Sequence, residues 1–285
     1  MTTRITRTAA LLALATLTAT ACGTNQPPSL FTKGQVSVGV KSDQPGTSYL
    51  DGYDFNGFDI TVARQLLKKL GTEPNFAAVP SERRTTAVTE GRQDLVIATF
   101  SITDERSAKV DFVGPYATTP QGVMVRKDDP RIKNLSDLRG KSVCAWSGTT
   151  SGTALQKIPG LVFSGKTTAD GCVRALENHQ VDAVSTDTLI LYGFAQSKQY
   201  PNLKVVPGID IDSTNRYGIA MPKGHREDCY KLRDALRDYL NSSDWKRDFT
   251  TELPAVPEAD AHWEAHYKPN ADDLDKYSCR DKSAP

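Results

Sequence analysis

The chain has almost no surplus of either charge: 35 lysines and arginines stand against 34 aspartates and glutamates in 285 residues. Without a basic surplus there is no electrostatic footprint for a phosphate backbone, which excludes nucleic acid as the expected partner. Long apolar runs are missing as well. The run from Ala9 to Leu17 falls far short of the roughly 20 residues that cross a bilayer as a helix, and no other segment approaches it. Cysteine is scarce, five in all, and no C-x-x-C pair points to zinc. Signatures of hydrolytic chemistry are also lacking, with no G-x-S-x-G and no H-E-x-x-H. His262 and His266 share i, i+4 spacing, but Glu264 lies between them in a late polar segment. Neither an enzyme nor a metal or other cofactor is expected.

What is present is an ordinary globular mixture, 38% hydrophobic and 24% charged, with length for about two domains. Arg4 and Arg7, the short apolar run and the small residues ending at Ala21 read as a secretory signal peptide over residues 1–21. Cys22, directly after that exit site, resembles the lipidated cysteine of a bacterial lipobox, although Ala19 stands where Leu is usual. The resemblance implies a diacylated mature N-terminus, with residues 22–32, rich in Asn25, Gln26, Pro27 and Pro28, as a tether. In an exported chain Cys144, Cys172, Cys229 and Cys279 are expected in disulfides; three pairings are open. Their positions along the chain favour Cys144 with Cys172 and Cys229 with Cys279.

From Gln35 onward short β-branched runs alternate with amphipathic segments. A strand at Val36–Val40 precedes a helix at Phe58–Leu70, where Ile60, Ala63, Leu66, Leu67 and Leu70 recur at helical spacing and Gly71 stops it. Strands at Phe76–Val79 and Leu95–Thr99 flank a helix at Arg83–Thr89, an order that predicts a parallel sheet covered on both faces. A second unit follows. It has strands at Gly122–Val125, Ser142–Trp146, Leu161–Phe163, Val181–Ser185 and Leu203–Val206, with a turn at Leu135–Leu138 and helices at Ser151–Ile158, Ala169–His179 and Thr188–Ser197. A strand at Gly218–Pro222 and a helix at Cys229–Leu240 come next, and after Leu253 an extension with little regular structure is expected. Two α/β lobes account for the length, with the ligand site in the cleft where loops leave the carboxyl ends of strands.

An ordered series of short motifs then becomes specific. Gly57-Phe58-Asp59-Ile60, Gln93 to Ala98, Ser101-Ile102-Thr103-Asp104-Glu105-Arg106 and Val110 to Tyr116 are followed by Gly140 to Val143, Ser147-Gly148-Thr149, Val181 to Val184, Thr186-Asp187 and Tyr217 to Ala220. The series resembles the polar amino-acid solute-binding proteins of ABC importers. Asp43 to Gly46, Pro80-Ser81 with Arg84, and the placement of Cys144 and Cys172 are most similar to the glutamate-binding lipoproteins of actinobacterial importers.

The resemblance implies an α/β fold of the two-lobed type 2 periplasmic-binding kind. Each lobe would be a mostly parallel sheet flanked by helices, with two hinge crossings near Tyr116–Gln121 and Ser213–Tyr217. Residues 33–117 would form the first lobe and 118–215 the second; 216–285 would return to the first and add the C-terminal extension. It also implies a monomer that closes on glutamate at the outer face of the cell membrane and delivers it to an ABC permease.

Arg106 would take the ligand α-carboxylate through its planar fork, and Asp187 the ammonium. A glutamate side chain then leaves one buried negative charge that needs another cation. Arg84, with Ser81 beside it, and Lys41 occupy the positions for that role, with Asp43 or Glu82 to balance the surplus. Thr99, Ser101, Thr149 and Thr150 follow strands and can offer hydroxyl and N–H donors. The first loop holds Gln44 and Pro45 where the family places an aromatic residue, so Tyr49, Tyr53 and Trp146 are the candidates for stacking on the ligand. The rivals are glutamine, aspartate or asparagine as ligand, or a freestanding amino-acid sensor.

Overall fold

A computed structural model describes residues 27–281, so the segment read as a leader and Cys22 lie outside the described residues. Among the described residues no helix is long and apolar enough to cross a membrane.

Near the start of the described residues Leu30 is buried, and its N–H donates to Asp228 Oδ2 at 2.7 Å. β1 (Gln35–Val40) then buries Val36, Val38 and Val40 completely. β2 (Asp43–Gln44), β3 (Ser48–Asp51) and β4 (Asp54–Asn56) make a small antiparallel sheet. α1 (Phe58–Lys69) turns Phe58, Ile60, Ala63, Leu66 and Leu67 inward and ends before Gly71, whose φ of 76° is open to glycine at little cost. β5 (Glu73–Ala78), α2 (Arg84–Thr89), β6 (Leu95–Val96), α3 (Asp104–Ser107) and β7 (Asp111–Arg126) follow. Next come β8 (Ser142–Trp146), α4 (Thr150–Leu155), β9 (Val162–Lys166), α5 (Ala169–Glu177), β10 (Ala183–Asp187), α6 (Thr188–Gln196) and β11 (Leu203–Val205). β12 (Ile211–Met221), α7 (Arg226–Asn241) and α8 (Ser243–Glu252) lead to α9 (Ala255–Ala259), α10 (Trp263–Tyr267) and α11 (Asp273–Tyr277).

The main sheet runs β5-β1-β6-β12-β7-β10-β8-β9, with β11 beside β7. Its ends are the parallel trios β5-β1-β6 and β10-β8-β9. Between them β12 and β7 run antiparallel, pairing Asn215 with Thr119, Arg216 with Thr118 and Tyr217 with Ala117. The two crossing segments are therefore paired strands rather than loops. The short apolar runs at Gly122–Val125 and Gly218–Pro222 are only the ends of β7 and β12, which span 16 and 11 residues. Each half has its own apolar core, one around α1, α7 and α8 and one around Trp146, Val173, Leu176 and Phe194.

Both expected disulfides are present: Cys144–Cys172, with Cα atoms 5.5 Å apart, and Cys229–Cys279, at 5.7 Å. The expectation of an irregular tail after Leu253 is corrected. α9, α10 and α11 each seat a large residue, so Val256, Trp263, Tyr267 and Leu274 join the first core. Trp263 stacks on Phe249 at 5.0 Å, and Phe249 on Trp245 at 4.8 Å. Aromatic burial, about 150–250 Å² per ring, outweighs the polar composition that suggested a loose wrap.

Candidate ligand-binding site

Past β6 the chain stays buried from Ile97 to Ser101 and turns sharply at Thr99, whose φ of 44° lies in the left-handed region. That conformation costs a non-glycine residue about 1–2 kcal/mol, and Asp59 in the first turn of α1 holds it. Asp59 Oδ2 accepts the Thr99 N–H at 2.8 Å while Oδ1 accepts the Tyr116 hydroxyl at 2.7 Å. Burial pushes the Asp59 carboxyl up to about 7, with those two hydrogen bonds pulling the other way.

The turn presents two carbonyls to Arg84. Its Nη1 donates to Ala98 O and Thr99 O at 2.9 Å each, and its Nε to Ser81 O at 3.0 Å. Its Nη2 reaches across to Gly148 O, between β8 and α4, at 2.9 Å. The same carbonyl accepts from Arg106 Nη2 at 3.0 Å, and Arg106 Nη1 donates to Ser101 O at 2.8 Å. Both guanidinium carbons lie over the Phe100 ring, 4.5 Å from its centroid for Arg84 and 4.7 Å for Arg106, each contact worth about 0.5–2 kcal/mol. Burial lowers Arg84 to about 9, helped by the neighbouring charge of Arg106, and lowers Arg106 to about 10 against the pull of Asp187. Both remain cations at neutral pH.

Asp187 closes β10. As the residue before α6 it could have capped that helix, but its side chain does not. It accepts instead from Asn215 Nδ2 and the Tyr217 hydroxyl, each at 2.8 Å, both from β12. Burial raises its pKa to about 6, opposed first by the Tyr217 hydrogen bond and then by the charges of Arg84 and Arg106.

A small cavity of about 10 Å³, room for about one water, lies between these groups. Its wall brings together Ser81, Arg84, Thr99, Ser101, Trp146, Thr149, Thr150 and Asp187 from the sequence reading, and adds Gln44, Thr186 and Ile190. Arg106 lines the adjoining open cleft with Phe100 and Gly148. In the wall, Ser81 Oγ and Trp146 Nε1 are buried with no hydrogen-bond partner among the described residues, an arrangement that suits a polar ligand.

Four expectations shift. Lys41 is not among the cavity's lining residues: its ammonium is held by Asp43 at 3.3 Å and by Val79 O at 3.5 Å, and burial lowers its pKa. Asp43 is accordingly occupied, and Glu82 is exposed; the carboxylate near Arg84 that the sequence reading passed over is Asp59. The Thr149 hydroxyl donates to Trp146 O at 2.7 Å and caps α4 through Gly152 N at 3.1 Å, so its own contacts are local. Of the three aromatic candidates only Trp146 reaches the wall, and Tyr53 is fully exposed. Tyr116 and Tyr217 stand in the motif series but, like Phe100 and Asn215, show no role in the site by sequence, because their partners are distant in the chain.

His266 Nδ1 meets Asp260 Oδ2 at 2.6 Å, and among the described residues no group of three or more His, Cys, Asp or Glu side chains could hold a metal ion.

Comparison with known proteins places this geometry. A sequence model of bacterial extracellular solute-binding proteins, family 3, matches residues 36–249. The glutamate-binding protein GluB of Corynebacterium glutamicum is 33% identical over 269 residues, covering 88% of this chain and 90% of that protein. A glutamine-binding protein of Geobacillus stearothermophilus is 33% identical over 225 residues, covering 75% and 83%. Among solved structures, the solute receptor for L-cysteine of Neisseria gonorrhoeae superimposes with a TM-score of 0.73 at 26% identity, covering 81% of this chain and 95% of that one.

Proposed function

Since the chain belongs to the bacterial extracellular solute-binding proteins, family 3, which capture amino acids for ABC transporters and are not enzymes, we propose that its ligand is glutamate, held by closure of the two halves. The observation that carries this reading is the pair of arginines on one phenylalanine ring, Arg84 buried and Arg106 half-buried, each hydrogen-bonded to backbone carbonyls and set against the buried Asp187. Arg106 would take the α-carboxylate, Asp187 the ammonium and Arg84 the side-chain carboxylate. Arg84, Arg106 and Asp187 sum to one positive charge, which glutamate cancels. A neutral amide would leave a buried cation without an anion, at a cost of several kcal/mol.

Closure follows from where the anchors sit. Arg84 and Arg106 reach Gly148 O from the side of the β5-β1-β6 trio, and Asp43 Oδ2 accepts the Ala169 N–H at the start of α5 at 2.8 Å. A ligand touching both sides stabilises the closed arrangement by its extra contacts. The names of the relatives agree on amino acids and differ on which. In this reading the leader over residues 1–21 is removed, Cys22 is lipidated at the outer face of the membrane, and the loaded monomer docks on a permease. Calorimetric titration of the mature chain with glutamate, glutamine, aspartate and asparagine tests the ligand. Glutamate is expected to bind tightest, and tighter binding of glutamine would refute the assignment.

A further inference from the structure

Among the described residues no carboxylate hydrogen-bonds or ion-pairs with Arg84 to aim it. Its orientation comes from the carbonyls of Ser81, Ala98, Thr99 and Gly148, two of which belong to the strained turn at Thr99. Arg106 takes its hydrogen bonds from Ser101 O and Gly148 O and uses neither of those two. The turn is fixed from behind. Asp59, 1% exposed, accepts the Thr99 N–H on one oxygen and the Tyr116 hydroxyl on the other, and Gln44 Oε1 accepts the Thr99 hydroxyl at 3.0 Å. An aspartate receiving two donors is held rigidly, because neither oxygen is free to rotate away without abandoning a buried donor.

We propose that Asp59 is a specificity-positioning residue: through the Thr99 turn it sets the guanidinium of Arg84, and thereby the preference for an acidic over an amide side chain, without touching the ligand. The inference rests on the glutamate reading, since it assigns Arg84 to the ligand side chain. It separates Asp59 from the groups that hold the amino-acid backbone: Arg106 uses Ser101 O, two residues past the turn, and Gly148 O, and Asp187 uses Asn215 and Tyr217 on β12.

The test is the ratio of glutamate to glutamine affinity, measured by calorimetry on the mature chain and on three variants whose folding is checked by circular dichroism. Asp59→Ala removes both acceptors and is expected to lower glutamate affinity about 10- to 100-fold, in line with loss of a well-placed charged hydrogen bond, while glutamine affinity falls by less than about threefold. Asp59→Asn, whose amide oxygen still accepts the Thr99 N–H, is expected to recover most of the ratio. Should Asp59→Ala not fold, Tyr116→Phe, which frees one carboxylate oxygen, is expected to narrow the ratio by about threefold. Equal losses for the two ligands, or a ratio that does not move in folded variants, would overturn the proposal. A wild-type protein with no preference for glutamate would overturn it as well, and that result is distinct because it appears before any substitution is made.

Discussion

Asp187 makes the pH profile of binding predictable. Its carboxyl must be ionised to accept an ammonium, yet burial raises its pKa to about 6 in the ligand-free protein. At pH 7 about nine-tenths of the protein carries the charge and at pH 5 about one-tenth, so acidification over that range is expected to weaken glutamate binding about tenfold. The ligand contributes little to this slope, since a free glutamate side chain titrates near pH ~4.3. Asp59, at about 7, titrates over a higher window and faces Thr99 and Tyr116 rather than the cavity. The segment from pH 6 to pH 5 therefore isolates Asp187. Isothermal titration across pH 5–8 in a constant-ionic-strength buffer reads the slope, and proton uptake in buffers of different ionisation enthalpy confirms it independently. A flat profile, or affinity that rises on acidification below pH 6, would refute the ammonium role, as would an Asp187→Asn variant that keeps the wild-type slope.

Three further outcomes follow from the packing and the chain's chemistry. A Cβ on Gly193 of α6 would lie 1.9 Å from Pro45 O, so Gly193→Ala is expected to hold the two halves apart; solution scattering should show an extended form at saturating glutamate, with the melting temperature kept because alanine favours helix. The Cys229–Cys279 bridge closes 50 residues of chain and secures the short C-terminal helices, so the double serine variant is expected to lose about 4 kcal/mol in denaturant titration, whereas an unchanged midpoint would show that the aromatic stack alone holds them. Cys22→Ser is expected to release the protein from the membrane fraction of expressing cells, and mass spectrometry of the parent should find a diacylated N-terminal cysteine; an unmodified, secreted parent would contradict the anchor.

The elements legible in sequence were those whose burial has a period. Val36, Val38 and Val40 announce β1, and the apolar stripe ending at Gly71 announces α1. β7 was read as four residues because Gly114, Pro115 and Pro120 interrupt its pattern, and proline is normally kept from sheet interiors; the observed strand nevertheless continues through all three. The tail was misread for a related reason: each of α9, α10 and α11 contributes only one or two anchors, too few for a period. In the site, ordered motifs mark Arg84, Arg106 and Asp187; the structure sets Arg84 and Asp187 on the small cavity and Arg106 on the adjoining cleft. Asp59 stands in one of those motifs, but an acid in the first turn of a helix reads as a complement to the helix dipole. Only the fold places Thr99 and Tyr116 against it. Lys41 illustrates the converse, a basic residue at a promising position that a neighbour two residues along has already neutralised.

The central claim is that the second cation, Arg84, selects the charge of the ligand's side chain. The measurement closest to it is the change in the glutamate-to-glutamine affinity ratio between the parent protein and Arg84→Gln. The parent should favour glutamate by about 100-fold or more, the size of one buried charge pair, and the variant should lose that preference or reverse it while Arg106 and Asp187 still hold the amino-acid backbone. A variant that ranks the two ligands as its parent does would contradict the account.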